Sequence, residues 1–407
     1  MQDQKAVDFL QKKFSSYYKT VFVDSVPEPE RREFGYGVFG KKIIARHLSF
    51  SSAKEFNSFL REQAPFFVSY SPALYEFPEN RPMERKNFIK SDLIYEFDAD
   101  DIKTSCKEKH DSWKCLECRA EGKGLIEKCP SCGNSVETTE WVCENCLEAT
   151  KKQSLKLIGI LEEDFGFDEG ISVNFSGSKG FHIHIKSEKI QDMKQSARIE
   201  LLDFLTAKDL DLEELGFVYS NKKMLCPKED DAFGWSKKLL SVLRKLIEED
   251  NSEKISALGN ARTSAIKKLL EKKDLILKGM QNGFLFPVTA DSKKFWNTLL
   301  FNLAESEKLF VDRQTSMDLA KIIRVPNTIH GSTGLLAVQL KKERLKEFNA
   351  LNESIIFSSN PLKIFVEKAP EFTLGSECFG PFNSEQAILP EFAAVYLLAR
   401  NSAKLVG

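Results

Sequence analysis

The stretch LIYEFDADD, residues 93–101, carries the clearest strand signal in this chain. Apolar and acidic side chains alternate along it, which is the period of a β-strand with one face against an apolar core. One face carries Leu93, Tyr95, Phe97 and Ala99, and the other carries Ile94, Glu96, Asp98 and Asp100. We therefore predict a strand that presents an Asp-x-Asp pair on its polar side.

Asp98 and Asp100 stand two residues apart, so both carboxylates project from the same face of this predicted strand. Two carboxylates held so closely repel each other unless cations bridge them, and Mg²⁺ or Mn²⁺ prefer such oxygen ligands. A third carboxylate from elsewhere in the chain would complete a two-metal site for phosphoryl chemistry. An Asp-x-Asp at the end of a strand also occurs as a cap or a turn, so the pair needs support from other motifs.

The segment SGSKGFHIHI at 176–185 supplies part of that support. Short alternating runs on both sides of its first five residues predict a hairpin or a tight strand-loop-strand. Gly177 and Gly180 allow close backbone approach, and His182 and His184 share one face of the second run. The loop offers hydrogen-bond donors for a phosphate from Ser176, Ser178 and Lys179.

A third segment, VDRQTSMDLAKIIRVPNTIHGSTG at 311–334, combines carboxylates with basic groups. Asp312 lies in its extended start and Asp318 in a predicted helical turn. Arg324 and His330 fall on an irregular stretch with a glycine turn, which suits a triphosphate, although a surface turn has the same appearance.

The 407 residues carry 59 Lys and Arg against 60 Asp and Glu, for a net charge of −1. This balance excludes a protein that binds nucleic acid through a large positive net charge. Any contact with nucleic acid must therefore come from local clusters of basic residues. The N-terminus is too polar for a secretory signal, and no run approaches the roughly 18 apolar residues of a membrane span. We expect a soluble, cytosolic protein.

Seven of the nine cysteines fall between Cys106 and Cys146, and in a reducing compartment such clustering favours metal over disulfides. The block holds eight ligands of the kind that zinc prefers, enough for two tetrahedral sites. They are Cys106, His110, Cys115, Cys118, Cys129, Cys132, Cys143 and Cys146. Because its two ten-residue gaps are equal, the spacing alone does not settle which ligands share a metal ion.

Hydrophobic periodicity predicts helices at 5–18 and 147–165, a largely helical stretch at 190–308 and a last helix at 390–404. The layout is a mixed α/β core that is interrupted by the cysteine-rich block and then by the helical block. The predicted divisions are 1–105, 106–146, 147–190, 191–308 and 309–407.

Taken in order, these motifs resemble the small, catalytic subunit of the archaeal and eukaryotic type of DNA primase, and archaeal members most closely. The resemblance rests on the three segments above and on RREFGYG at 31–37, ARHLSF at 45–50, WVCENC at 141–146 and EEDFGF at 162–167. It implies an α/β primase-polymerase core with its carboxylates on an antiparallel catalytic sheet, a zinc-binding insertion and an inserted helical subdomain.

The resemblance also implies roles for single residues. Asp98 and Asp100 would be paired ligands of Mg²⁺ or Mn²⁺, and Asp312, ranked above Asp318, the third carboxylate. The nucleotide's phosphates would be bound by Ser176, Ser178, Lys179 and His182 from one side and by Arg324 and His330 from the other. Arg32 and Arg46 would be electropositive supports of the pocket. Ser178 stands where the family commonly has a basic residue, so we expect Lys179 to carry more of the charge.

In that family a single zinc knuckle joins the carboxylate strand to the following helix. Transferred to this chain, it pairs Cys106 and His110 with Cys143 and Cys146. Cys115, Cys118, Cys129 and Cys132 would then form an inserted zinc ribbon. This nested arrangement is our preferred hypothesis, and the sequential and cross-braced pairings remain open.

The implied function is primer synthesis on single-stranded DNA from nucleoside triphosphates, in the cytoplasm at the nucleoid. Two catalytic Mg²⁺ or Mn²⁺ ions and two structural zinc ions are the implied cofactors. Because only Cys226 and Cys378 remain, an iron–sulfur cluster would have to come from a separate large subunit. A repair or gap-filling primase-polymerase and a non-catalytic zinc-ribbon protein that binds nucleic acid are the alternatives.

Overall fold

The structure is a computed structural model that describes residues 3–167, 169–288 and 291–406. The chain divides into two compact units. The core unit comprises Met1–Ile199 and Phe310–Gly407, and the helical unit comprises Glu200–Leu309. In the described ranges, no helix is long and apolar enough to cross a membrane.

The first elements of the chain are α1 (Gln4–Thr20), β1 (Phe34–Val38), β2 (Lys41–Leu48), α2 (Ala53–Gln63), β3 (Phe67–Tyr70), β4 (Ala73–Tyr75), β5 (Phe88–Ser91), β6 (Leu93–Asp98), α3 (Lys107–His110), β7 (Ser112–Cys115), β8 (Glu121–Lys123), β9 (Val136–Thr139), α4 (Glu144–Glu163), β10 (Ile171–Phe175), β11 (Gly180–Ile185) and α5 (Glu188–Gln191). The next are α6 (Gln195–Leu205), β12 (Val218–Ser220), β13 (Lys223–Leu225), α7 (Gly234–Glu248), α8 (Ser252–Gly259), α9 (Thr263–Leu270), α10 (Lys273–Gln281), β14 (Phe284–Leu285) and α11 (Ser292–Glu307). The last are α12 (Arg313–Met317), β15 (Ile323–Arg324), β16 (Gln339–Lys341), α13 (Ala350–Glu353), β17 (Pro361–Ala369), β18 (Phe372–Leu374), β19 (Glu377–Phe379), β20 (Phe382–Pro390), α14 (Glu391–Ala399) and β21 (Ala403–Leu405).

The central sheet of the core unit has the order β16-β10-β11-β6, and its neighbouring strands are antiparallel. The mixed α/β architecture with an antiparallel sheet is therefore confirmed. In the pairing of β11 with β6, His182 lies opposite Glu96 and Ile183 opposite Tyr95. Residues opposite each other in a sheet share a face, so one face is apolar and packs against α4, while the other carries the acidic and histidine side chains.

The strand β6 ends at Asp98, whereas the predicted alternation continues to Asp100. Ala99 donates its N–H to the Lys179 carbonyl over 3.1 Å, and the chain then bends into a 3₁₀ turn at Ala99–Asp101. Asp98 is thus the last strand residue, and Asp100 lies in the turn. The prediction that Asp98 and Asp100 share one strand face is wrong, because the turn interrupts the alternation after Asp98.

A second sheet, β15-β3-β1-β2, brings the segment after α12 to the same side of the molecule. Its strand β15 pairs Arg324 with Ser69, which fixes the position of this arginine. The C-terminal sheet β20-β17-β21 packs against α14. The predicted last helix is shorter than 390–404, because the chain turns after Ala399 and adds β21 to β17.

The cysteine-rich block folds around the small antiparallel sheet β8-β7-β9. Trp113, Cys115 and Cys129 form its buried centre, which is much too small to stabilise a fold without a metal or a partner. Gly122 packs against the face of Trp113, where a Cβ would lie 2.7 Å from the indole.

The helical unit buries the leucine stripe that the periodicity predicts. Its buried members in α7 are Leu239, Leu240, Leu243, Leu246 and Ile247. The unit also contains the sheet β12-β13-β14, which the sequence pattern did not predict. Strands of three residues or fewer are too short to show an alternation.

Candidate active site

A cavity of about 470 Å³ opens on the polar face of the central sheet, in the core unit. It brings together seven of the residues that the sequence predicts for a nucleotide site. They are Asp98, Ser176, Ser178, Lys179, His182, Arg324 and His330. Three segments far apart in sequence therefore meet in one place: the end of β6, the β10–β11 loop and the stretch from β15 to residue 332.

The carboxylate wall of the cavity contains Glu96, which the sequence analysis did not select. Glu96 and Asp98 lie two residues apart on β6, so both side chains project from its polar face. Asp312 donates its N–H to the Glu96 carbonyl over 3.1 Å, and Thr315 Oγ1 donates to Oε2 of Glu96 or to Oδ2 of Asp312, each at 2.6 Å. The structure thus links Asp312 to Glu96, which shares a strand face with Asp98.

The signal for Glu96 was present in the alternation of residues 93–101, where it shares the face of Asp98. Two further groups hold its carboxylate. His182 Nε2 lies 3.0 Å from Oε1, and Lys321 Nζ lies 3.4 Å from Oε2 and 3.1 Å from Asp312 Oδ2. Although burial favours the neutral acid, these contacts together lower the pKa of Glu96, which is therefore ionised at neutral pH.

Asp100 points to different partners from those of Asp98. Its carboxylate pairs with Lys179 and hydrogen-bonds to Glu140, and it does not line the cavity. Despite partial burial, the contacts with Glu140 and Lys179 lower the pKa of Asp100. In this structure Asp100 therefore holds Lys179, at the edge of the phosphate loop.

The remaining carboxylate, Asp98, is poorly compensated. Burial and then the charge of Glu96 raise the pKa of Asp98 to about 6, and the nearby His182 only partly offsets them. A buried carboxylate beside another carboxylate is a donor set that a hard divalent cation relieves, so the residues fit Mg²⁺ or Mn²⁺. Among the described residues, only the two cysteine sets bring three or more potential ligand atoms within 4.8 Å of one another, so the carboxylates lie farther apart.

The raised pKa of Asp98 predicts that Asp98→Asn stabilises the chain when no Mg²⁺ or Mn²⁺ is present. The unfolded pKa is about 3.9, so an acid with a pKa near 6 in the fold binds a proton more tightly when folded. This favourable contribution is complete below about pH 4 and is lost as the pH rises through 6. At pH 7.5 we expect the variant to unfold with a free energy about 1–3 kcal/mol higher than that of the wild type.

Urea unfolding of both proteins, in buffers without added divalent cations and without chelator, measures this difference. The gain should shrink towards zero as the pH falls to about 4, where both side chains are neutral. Glu84→Gln removes an exposed carboxylate elsewhere and serves as the control. A variant less stable than the wild type at pH 7.5 would contradict the assigned environment of Asp98.

The opposite wall of the cavity is the loop between β10 and β11. The Ser176 hydroxyl accepts hydrogen bonds from the N–H groups of Ser178, Lys179 and Gly180 at 3.2–3.3 Å, which closes a compact turn. Gly177 has a φ of +77°, and a Cβ there would lie 2.8 Å from Cβ of His330. Glycine is therefore required for the close approach of this loop to the 330–334 turn.

His330 and Arg324 offer hydrogen-bond donors to the same cavity. His330 Nδ1 accepts the N–H of Ser332 over 3.3 Å, which leaves the proton on Nε2. Burial, followed by the neighbouring cations, holds the pKa of His330 well below its usual value, so the ring is a neutral donor. Arg324 stacks on Phe67 at 5.1 Å, and among the described residues its buried Nε and Nη1 have no hydrogen-bond partner.

Arg32 and Arg46, predicted as electropositive supports, do not line the cavity. Arg32 is buried, pairs with Asp92 at 3.1 Å and donates to three backbone carbonyls, so it stabilises the fold. Arg46 pairs with Glu33 and donates to the Ala320 carbonyl over 2.8 Å. Their charges are thus paired within the fold, and these contacts give no support to the predicted role of either residue.

Asp318, the competing choice for the third carboxylate, lies outside the carboxylate group. Its Oδ1 accepts the N–H of Ala320 over 2.8 Å, which makes it the cap of a local turn. Asp312 instead caps the start of α12 and contacts Thr315 and Lys321, which are also partners of Glu96. The geometry favours Asp312.

The eight zinc-type ligands form two groups in the nested arrangement. One group is Cys106, His110, Cys143 and Cys146, and the other is Cys115, Cys118, Cys129 and Cys132. Sulfur–sulfur distances within the groups are 3.4–3.8 Å. Zn–S bonds of about 2.3 Å give a tetrahedron with edges of about 3.8 Å, so both sets fit Zn²⁺.

His110 is oriented by a buried carboxylate. Its Nδ1 lies 2.8 Å from Asp111 Oδ1, and its Nε2 lies 3.3 Å from the sulfur of Cys146. Asp111 Oδ1 also accepts the N–H of Trp141 over 2.8 Å. This fixes the tautomer in which Nε2 is the ligand atom, as carboxylates behind metal-binding histidines commonly do.

The chain matches the family described as DNA primase small subunit over residues 136–341, slightly more than half of its length. It is 28% identical over 429 residues to "DNA primase small subunit PriS" of Methanococcoides burtonii, covering 99% of both chains. It is 29% identical over 405 residues to the protein of the same name from Nitrosopumilus maritimus, covering 98% of both. With that of Archaeoglobus fulgidus, the identity is 25% over 400 residues and 97% of both chains.

Proposed function

This chain belongs to the DNA primase small subunit family, and we propose that it catalyses nucleotidyl transfer during primer synthesis on single-stranded DNA. The product would be a short RNA or DNA primer for replication. One observation carries the proposal: a single cavity has carboxylates on one wall and hydrogen-bond donors suited to phosphate on the other. In the proposed reaction a 3′-hydroxyl forms a bond to the α-phosphorus of a nucleoside triphosphate, and pyrophosphate leaves.

On the phosphate side, the chain's own residues bind and orient the triphosphate. Lys179, Arg324 and the Nε2–H of His330 would donate to its oxygens, and Ser178 would contribute its hydroxyl. Because His330 is neutral, it can donate without the cost of burying another charge. Catalysis by these groups is a matter of position and charge, which is the usual contribution of proteins to phosphoryl transfer.

On the carboxylate side, Glu96, Asp98 and Asp312 would hold two Mg²⁺ or Mn²⁺ ions. When bound, such ions neutralise phosphate oxygens and lower the pKa of the attacking hydroxyl. His182 and Thr315 keep the Glu96 carboxylate in place, since each forms a hydrogen bond to it. Asp100, the ligand suggested by the Asp-x-Asp motif, would act instead through Lys179.

The two Cys/His groups would hold structural zinc, with no open position for chemistry. The small-subunit name of the relatives also points to a large subunit as partner. We propose that this partner carries an iron–sulfur cluster and helps to hold the first two nucleotides, whose binding to a template without a primer is weak. The complex would act in the cytoplasm, at the nucleoid.

Incubation of the purified chain with single-stranded DNA, all nucleoside triphosphates and Mn²⁺ or Mg²⁺, without a primer, tests the proposal. Oligonucleotide products that disappear in the Glu96→Gln/Asp98→Asn double variant, but not in Glu84→Gln, would support it. Extension of an added primer without initiation would fit a subunit that needs its partner, and adding the large subunit should then restore initiation. No synthesis in any format by the folded, zinc-loaded chain with its partner would overturn it.

A further inference from the structure

Arg400 lines the same cavity, although it lies outside every motif of the sequence. It follows the last residue of α14 and enters the cavity from the C-terminal part of the chain. We propose that Arg400 is a further phosphate-contacting residue, which binds the triphosphate of the nucleotide from the side of the zinc-binding block. This inference rests on the proposed function and names an additional residue of that site.

The guanidinium of Arg400 is held in place by three contacts. It stacks on Trp141 at 4.0 Å and lies 5.5 Å from the ring of Tyr396. Its Nη2 donates to the carbonyl of Glu140 over 2.8 Å. A stacked guanidinium with one fixed hydrogen bond keeps its remaining donors in a defined direction, which favours recognition of an anion.

The charge of Arg400 is not neutralised within the protein. Its hydrogen-bond acceptor is a carbonyl, and none of the ion pairs found among the described residues includes it. Its Nε is buried and has no hydrogen-bond partner in the described ranges. Arg324 shows the same combination of a stacked guanidinium, unpartnered buried nitrogens and a place on the cavity wall.

Arg400 belongs to the phosphate wall and not to the carboxylate wall. Together with Lys42, Lys179 and Arg324, it is one of the cations whose field lowers the pKa of His330, after the effect of burial. Lys179 is the only one of these four cations with a carboxylate partner among the described ion pairs. Several like charges around one cavity repel each other, and an anion with three phosphate groups relieves that repulsion.

The position of Arg400 is connected to the first zinc group through Trp141. Trp141 lies two residues before Cys143. Its backbone N–H donates to the Asp111 carboxylate, which also contacts His110. Next to it, Glu140 contacts Lys179 of the phosphate loop at 3.2 Å. The zinc group, the stacking ring and two cations of the phosphate wall are therefore in one continuous set of contacts.

Binding of inorganic tripolyphosphate and of a nucleoside triphosphate to the full chain, by calorimetry, tests the inference. Loss of a charged hydrogen-bonding group predicts about 10–100-fold weaker binding of both probes to Arg400→Gln, with the nucleoside alone unaffected. Arg400→Lys should restore part of the affinity. Arg85→Gln, which removes an exposed arginine, should bind like the wild type.

Trp141→Leu provides a second route if Arg400→Gln does not fold, because it removes the stacking ring and keeps the charge. We expect it to weaken tripolyphosphate binding while the zinc content stays unchanged. Binding of tripolyphosphate to folded Arg400→Gln within twofold of the wild type would overturn the inference, as would an equal loss for the nucleoside. Primer synthesis by the wild type in that case would leave the proposed function intact. Arg400-dependent binding without any synthesis would contradict the proposed function alone.

Discussion

Glu96→Gln should lower the rate of single-nucleotide addition by about 1,000-fold or more, because one charge-stabilising group at a reacting centre commonly contributes 10²–10³. The substitution keeps the size of the side chain and one oxygen that can face His182, while the new amide NH₂ can donate to the Thr315 hydroxyl, but it removes a charge from the carboxylate wall. Asp100→Asn should cost less than about tenfold, since Asp100 pairs with Lys179 and does not line the cavity. The rate at which each variant extends a labelled primer at saturating nucleotide measures both losses.

Asp98→Asn is the positive control in this comparison and should be as inactive as Glu96→Gln. The unfolding midpoint and the zinc content of each variant serve as controls. Values like those of the wild type exclude a folding defect as the cause of the lost activity. The result that contradicts the geometry is the reverse ranking, in which Asp100→Asn is inactive and Glu96→Gln retains most of the rate. The acting pair would then be Asp98 with Asp100, as the Asp-x-Asp motif alone suggests.

Cys146→Ser and Cys129→Ser should each reduce the zinc content from two ions to one, with very different effects on stability. Cys146 is buried in the first turn of α4, and this helix packs against β6 and β11. A structural zinc contributes roughly 10 kcal/mol or more in small zinc domains, so a loss of about 3 kcal/mol or more is expected for Cys146→Ser. Native mass spectrometry measures the zinc content, and thermal unfolding measures the stability.

Cys129 lies in the small buried centre beside the sheet β8-β7-β9, and this centre is confined to a few residues. Cys129→Ser should unfold this ribbon and leave the unfolding midpoint of the rest of the chain within a few degrees of the wild type. Cys378→Ser, an exposed cysteine outside both groups, should keep two zinc ions and the wild-type midpoint. One zinc ion in the wild type, or equal destabilisation by both variants, would contradict two independent nested sites.

Most elements of the core unit follow from local patterns. The alternation in 93–99 and 181–185 predicts β6 and β11 to within one residue at one end, and the helical periodicity after Cys146 predicts most of α4. These predictions succeed because one face of each element is buried, so that the hydrophobic period survives in the sequence. The strands of the helical unit were missed because they are too short to carry a period.

The segments of the candidate site can be read from the chain alone: a carboxylate strand, a glycine-containing loop and a basic segment, in an order that resembles that of the family. The sequence also determined the eight zinc-type ligands, since ligand type and local spacing are properties of the chain. The distances between these segments depend on tertiary contacts. The sequence alone therefore does not show which residues lie close enough to act together.

Three features depend on contacts between distant segments. The 3₁₀ turn at Ala99–Asp101 follows the last ladder bond of β6 and takes Asp100 off the strand face that Glu96 and Asp98 share. Internal ion pairs keep Arg32 and Arg46 out of the cavity. Arg400 reaches the site through Trp141, more than 250 residues earlier in the chain, and such a contact leaves no period or spacing in a sequence.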